Sequence, residues 1–220
     1  MIVAMIPARM GSQRLKQKNL RELAGVSLIA RAIRKCKTAA VFDEVWVNSE
    51  NAAFGEIAAA EGVGFHQRPE ALGNNVATSE QYIAEFLLKH PCDFVVQVHS
   101  IAPLLTREDI VGFVTELRHG DHDCLLSADL IQIECAYRGQ PINFHFSEKT
   151  NSQDLEPVQR VSWSITGWRR STYLAAVAEG RCATYSGRVG FFPVNRLAGH
   201  VVKPEDDMRM AEALLPLVGN

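Results

Sequence analysis

From residue 2 to about residue 128, short apolar runs alternate with stretches of helical periodicity, and this alternation restricts the fold more than any other property of the chain. Residues 2–6 form a continuous apolar run that reads as a strand buried on both faces. Residues 27–36 set Leu28, Ile29, Ala32, Ile33 and Cys36 on one helical stripe, with Arg31, Arg34 and Lys35 opposite. The same reading gives strands at 44–48, 63–66, 94–98 and 124–128. Helices are expected at 50–61 (stopped by Gly62), 79–90 (capped by Thr78 or Ser79) and 107–117, the last capped by Thr106 with Glu108 and Asp109 in its first turn. Strands joined through helices cross over with a right hand, so the expected architecture is α/β: a mostly parallel, Rossmann-like sheet flanked by helices.

The alternation stops after Asp129. Residues 130–165 hold strand-like pieces and a polar stretch at 148–156, too little to build a core of their own, and read as an inserted arm within a single domain spanning 1–220. A helix at 171–179 ended by Gly180, a strand at 190–195 and a last helix at 204–217 follow. A formal charge of −2 argues against a nucleic-acid binder, which carries a basic excess. No apolar run reaches the roughly 20 residues of a membrane span. The start has no basic region and halts at Pro7, which does not suit a signal peptide. Five scattered cysteines without a CxxC pair read as free thiols, and the expected location is the cytoplasm.

Chemistry concentrates in residues 6–19, IPARMGSQRLKQKN, which follow the first strand and so lie at the ligand-binding edge of an open α/β sheet. Arg9, Arg14, Lys16 and Lys18 can neutralise phosphate oxygens, Gly11 permits close backbone approach, and Ser12 adds a hydroxyl donor. A solvated basic turn would have the same composition. Gly11 stands alone, so the loop is neither GxxxxGK[ST] nor GxGxxG.

The segment IPARMGSQRLKQKNL resembles the signature of the acylneuraminate cytidylyltransferase family, the CMP-sialic acid synthetases and their relatives. LAGVSLIARAI, the stretch from VWVNSE through RPEALGNNVATSE, VVQVHSIAPLLTREDI and PEDDMRMAEALL resemble further family segments in the same order. The resemblance implies a nucleotide-diphospho-sugar transferase type of fold, with CTP and a keto-sugar acid as partners and pyrophosphate as leaving group. It implies a homodimer in which residues 130–165 form the dimerisation arm. It assigns Ala8, Arg9, Ser12, Asn19, Arg68, Ala77 and Ser79 to nucleotide binding, Lys18 with Arg9 to catalysis, and His99, Thr166 and Gly167 to the sugar. Ser79 could equally be a helix cap.

This sequence departs from the family in three places. His99 stands where a sugar-contacting glutamine is expected, and Leu105 replaces an arginine. Trp168 follows Thr166 and Gly167, either to stack on a ligand or to fill the core. Mg²⁺ is expected for the family, yet its two aspartates fall on Val201 and Lys203, neither of which offers a cation an oxygen ligand. Asp206 and Asp207 lie close by and also suit a helix N-terminus. A binding module that has lost catalysis is therefore the alternative reading.

Overall fold

The computed structural model describes residues 1–218, and its first strand, β1 (Ile2–Pro7), is buried from Ile2 to Ile6. Both faces of β1 are covered because its side chains alternate. Ile2, Ala4 and Ile6 join one apolar cluster with Ile29, Ile33 and Phe113, while Val3 and Met5 join another with Ile83, Phe86 and Tyr173. On one side β1 pairs in parallel with β2 (Glu44–Ser49), which pairs with β3 (Gly64–Gln67). On the other side it pairs in parallel with β4 (Phe94–Val98). Beyond β4 lie, in chain order, β5 (Cys124–Ile131), β6 (Val158–Arg169) and β7 (Val189–Pro193), and the sheet order is β7-β5-β6-β4-β1-β2-β3. Strand β6 runs antiparallel to both β4 and β5, so the seven-stranded sheet is mixed but mostly parallel.

Helices α1 (Leu28–Ala39), α2 (Ala53–Ala60), α3 (Ser79–Lys89), α4 (Arg107–His119), α5 (Arg170–Ala178) and α6 (Glu205–Leu214) fill the connections. Their starts follow from capping chemistry. Thr106 and Asp109 close a reciprocal capping box on α4, and Thr78 with Gln81 does the same on α3. Thr78 is therefore the α3 cap, and the Ser79 hydroxyl is not needed for it. Helix α6 starts one residue later than the pattern predicts, with Pro204 as its N-cap and Glu205, Asp206 and Asp207 in its first turn.

The arm is shorter than 130–165. Strand β5 runs on to Ile131 and β6 begins at Val158, so residues 158–165 are part of the central sheet and the excursion from it covers 132–157. Within it, Ala136–Tyr137 and Gln140–Pro141 make a two-residue ladder, and Asn143–Phe146 form no strand. Ile133, Tyr137, Ile142 and Phe146 are exposed.

Candidate active site

The carboxyl ends of β1 and β4 open onto a cleft of about 400 Å³. Residues 8–19 form one wall, the turn from Leu72 to Ser79 the opposite wall, and Arg68, Tyr82, His99 and Ser100 the floor. Open α/β sheets bind ligands at this edge.

Arg68 sets the geometry of the floor. Its side chain is almost wholly buried, and Nη2 donates to the Ala8 carbonyl and to Glu50 Oε2, both at 2.9 Å. The other oxygen of Glu50 accepts from the Met10 amide at 2.9 Å. One carboxylate thus fixes both the guanidinium and the start of the loop after β1. Arg68 Nε and Nη1 are buried without a protein partner, and its guanidinium lies 4.8 Å from the centre of the Tyr82 ring. Buried donors left free in a cleft are ready for an anionic or carbonyl-bearing ligand.

Lys18 opens a one-turn 3₁₀ helix and donates to the Val202 carbonyl at 2.9 Å, while the Val202 amide donates to Ile101. Its ammonium is held below the usual lysine range by burial first, then by the charges of Arg14 and Arg9. A cation destabilised in this way gains most from an arriving polyanion. Asn19 is buried and spans the cleft base, donating to the Arg9 carbonyl at 3.1 Å and accepting from the Ser100 hydroxyl at 2.8 Å. Arg9 reaches across the mouth to Asn75 Oδ1 at 2.8 Å and the Asn74 carbonyl at 3.2 Å. The Asn74 side chain in turn accepts from the Val76 and Ala77 amides, which shapes the wall that carries Ala77 and Ser79. Lys16 points to solvent.

Of the residues proposed from sequence, Ala8, Arg9, Ser12, Lys18, Asn19, Arg68, Ala77, Ser79 and His99 all line this one cleft. Thr166 and Gly167 do not. Thr166 is wholly buried on the face it shares with Trp168, and on the opposite face a Cβ on Gly167 would lie 2.5 Å from Leu117 of α4, so neither residue opens to the cleft. Trp168 belongs to the core: it is 3% exposed, donates from Nε1 to the Thr184 carbonyl, and meets Tyr173 edge-on at 5.5 Å. Glu50, Tyr82, Asn74 and Asn75 escape sequence reasoning, because each acts through a partner distant in the chain.

Burial, and then the charge of Lys18, push the His99 imidazole down to about 4. Gln97 Nε2 lies 2.6 Å from His99 Nε2, an arrangement in which the amide donates to a neutral ring. The unfolded chain protonates its histidine at higher pH, so it binds more protons than the folded one between the ordinary value of 6.5 and about 4. Stability present above that window is lost as pH falls through it. Chemical unfolding at pH 7 and pH 4 is expected to show about 2 kcal/mol less acid destabilisation in His99→Gln than in the wild type. Equal acid loss in both would remove His99 as its source.

A divalent cation finds no protein cage at the start of α6. Val201 is half-buried with an apolar side chain, and Lys203 is exposed. The Asp207 carboxylate accepts from the Lys203 amide at 2.7 Å, and Asp206 is exposed beside Arg209. Among the described residues no group of three His, Cys, Asp or Glu side chains could hold a metal ion. The side chains at the family's metal position do not fit Mg²⁺.

A family model described as Cytidylyltransferase matches residues 3–175. The chain belongs to this cytidylyltransferase family. It is 30% identical over 127 residues to N-acylneuraminate cytidylyltransferase A of Danio rerio, a stretch that is 57% of this chain and 30% of that protein. The chain thus spans under a third of the length of that relative. It is also 30% identical over 189 residues to the 3-deoxy-manno-octulosonate cytidylyltransferase of Myxococcus xanthus, covering 79% of this chain and 74% of the relative. The solved structure of CMP:2-keto-3-deoxy-manno-octonic acid synthetase complexed with CTP superposes with a TM-score of 0.71 over 98% of both chains, at 16% identity, which shows a common fold. As a cytidylyltransferase-family chain, it keeps a basic cleft at the carboxyl edge of its central parallel strands.

Proposed function

We propose that the protein transfers CMP from CTP to the anomeric hydroxyl of a keto-sugar acid. The hydroxyl oxygen gives up its proton to solvent and bonds to the α-phosphorus as the bond to the β-phosphate oxygen breaks, and pyrophosphate leaves. The observation that carries this reading is the convergence on one cleft of four cations, Arg9, Arg14 and Lys18 from the loop after β1 and Arg68 from beyond β3. Such fixed cations stabilise the charge that develops on a leaving pyrophosphate and cost little reorganisation when it forms. Relatives named for N-acylneuraminate and for 3-deoxy-manno-octulosonate support an acceptor of the keto-sugar acid class.

A second reading, a nucleotide- or sugar-binding module without turnover, is favoured by Val201 and Lys203 at the family's metal position and by the engagement of the Asp207 carboxylate with the Lys203 amide. Pyrophosphate release from the four nucleoside triphosphates, with either keto-sugar acid and with or without Mg²⁺, separates the two. The expected result is release with CTP alone, together with a CTP-induced rise in melting temperature that ATP does not match. A thermal response to CTP without pyrophosphate would favour the module, and equal responses to ATP and CTP would sink the cytidine assignment. We read the exposed apolar residues of the arm as a surface that a second copy covers. Light scattering at micromolar concentration is expected to give a dimer, and a monomer would rule that reading out.

A further inference from the structure

Behind the phosphate cleft lies a second cavity of about 260 Å³, lined by Ser79, Gln97, His99, Trp163, Trp168 and Thr184, with Ser79 and His99 shared between the two. One of its walls is built at a cost. Trp163 has φ 57°, a left-handed backbone conformation that is unfavourable for a bulky side chain. The strain arises where β6 bulges: between Val161 and Thr166, five steps along β6 are matched by only two along β5. Buried hydroxyls hold the distortion in place. Ser162 and Ser164 both bond to Ser127 Oγ, at 2.8 and 3.2 Å, and Ser127 Oγ also accepts from the Ile165 amide at 3.2 Å.

A strained residue persists where its surroundings over-determine it, and such residues gather at ligand sites. The bulge turns the Trp163 indole out of the sheet, where it is 37% exposed and 6.3 Å from the Tyr185 ring. Across the cavity, the Gln97 side chain is almost wholly buried and its Oε1 accepts no hydrogen bond. A buried acceptor without a partner beside an apolar wall calls for a ligand carrying both hydroxyls and an apolar face.

We propose that Trp163 is a specificity-determining residue for the acceptor: its indole stacks on the C–H face of a sugar ring seated in the second cavity, while Gln97 Oε1 takes a hydroxyl of that ring. This rests on the transfer proposed above. The strained backbone aims the indole, and the shared residues Ser79 and His99 put the seated sugar directly beside the first cleft.

The test compares wild type, Trp163→Gly and Trp163→Phe by saturation-transfer NMR on N-acetylneuraminic acid and 3-deoxy-manno-octulosonate, each in the presence of CMP, alongside steady-state kinetics and melting temperature. Glycine adopts this backbone freely, so Trp163→Gly is expected to melt no lower than wild type. It should nevertheless lose most of the ring-proton saturation and raise the acceptor KM about tenfold, leaving the KM for CTP unchanged. Trp163→Phe should keep most of the contact. A lower melting temperature in Trp163→Gly with equal changes in both KM values would make Trp163 structural only and overturn the proposal. Undiminished saturation in Trp163→Gly, or none with either sugar in the wild type, would overturn it as well. Saturation that depends on Trp163 without pyrophosphate release would uphold the seat while removing the transfer reaction.

Discussion

Replacing Lys18 by alanine is expected to lower kcat/KM for CTP by roughly a hundred- to a thousandfold, the effect of removing one preorganised charge stabiliser. Lys16→Ala is expected to change it less than about twofold, since an exposed charge is screened by solvent. The two lysines are two residues apart and chemically identical, so the contrast isolates position. Lys18 is anchored on the Val202 carbonyl inside the cleft, and its positive charge is disfavoured there by burial, Arg14 and Arg9 until an anion arrives. Lys16 lies outside. Steady-state pyrophosphate release at varied CTP, with melting temperatures to confirm folding, reads the difference. Small and equal losses from both variants would reduce the loop to a solvated basic turn.

The second large effect concerns stability. The Arg68–Glu50 pair is enclosed, with side-chain exposures of 3% and 12%. Glu50→Ala leaves the buried guanidinium with only the Ala8 carbonyl as partner and frees the Met10 amide, so a loss of about 3–5 kcal/mol is expected. Arg68→Met keeps much of the volume and is expected to cost less in stability, yet to abolish the CTP-induced melting shift, because the floor donors are gone. Urea unfolding measures the first and thermal shift the second. A Glu50→Ala loss below about 1 kcal/mol would mean that water replaces the carboxylate and the pair is not enclosed in solution.

The parallel half of the sheet was readable because its strands are buried on both faces, which leaves continuous apolar runs in the sequence, and because threonine caps and the stop at Gly62 punctuate the helices. Strand β6 was not. Its alternation is broken by the bulge, and its polarity is reversed there: Ser162 and Ser164 are buried while Trp163 between them is exposed. A pattern search that expects apolar residues inside leaves that stretch in the inserted arm, outside the sheet. The cleft was partly legible for a comparable reason. Arg9, Ser12, Lys18 and Asn19 are concentrated in one loop, and Arg68, Ala77 and Ser79 came with the family resemblance. Glu50 and Tyr82 do their work through Arg68, and only the folded chain brings them to it. Thr166 and Gly167 were carried over by resemblance to the sugar, and their enclosure, Gly167 against α4 and Thr166 on the opposite face of the strand, is a packing fact with no local sequence signal.

The place of β6 in the sheet also has a kinetic meaning. Strands β1 to β4 find all their mutual partners within the first 98 residues, and they can assemble as soon as that stretch exists. Strand β5 cannot. Both of its neighbours, β6 and β7, come later in the chain, so it waits with two bare edges until β6 is complete at residue 169 and with one until residue 193. Pairings of such long sequence separation form slowly, because the entropy of closing the intervening loop is spent before any contact rewards it. On a ribosome this chain would therefore build the half that carries the basic loop first and complete β5's side of the sheet last, with β5 as the segment that most needs shelter from other nascent chains in the interval.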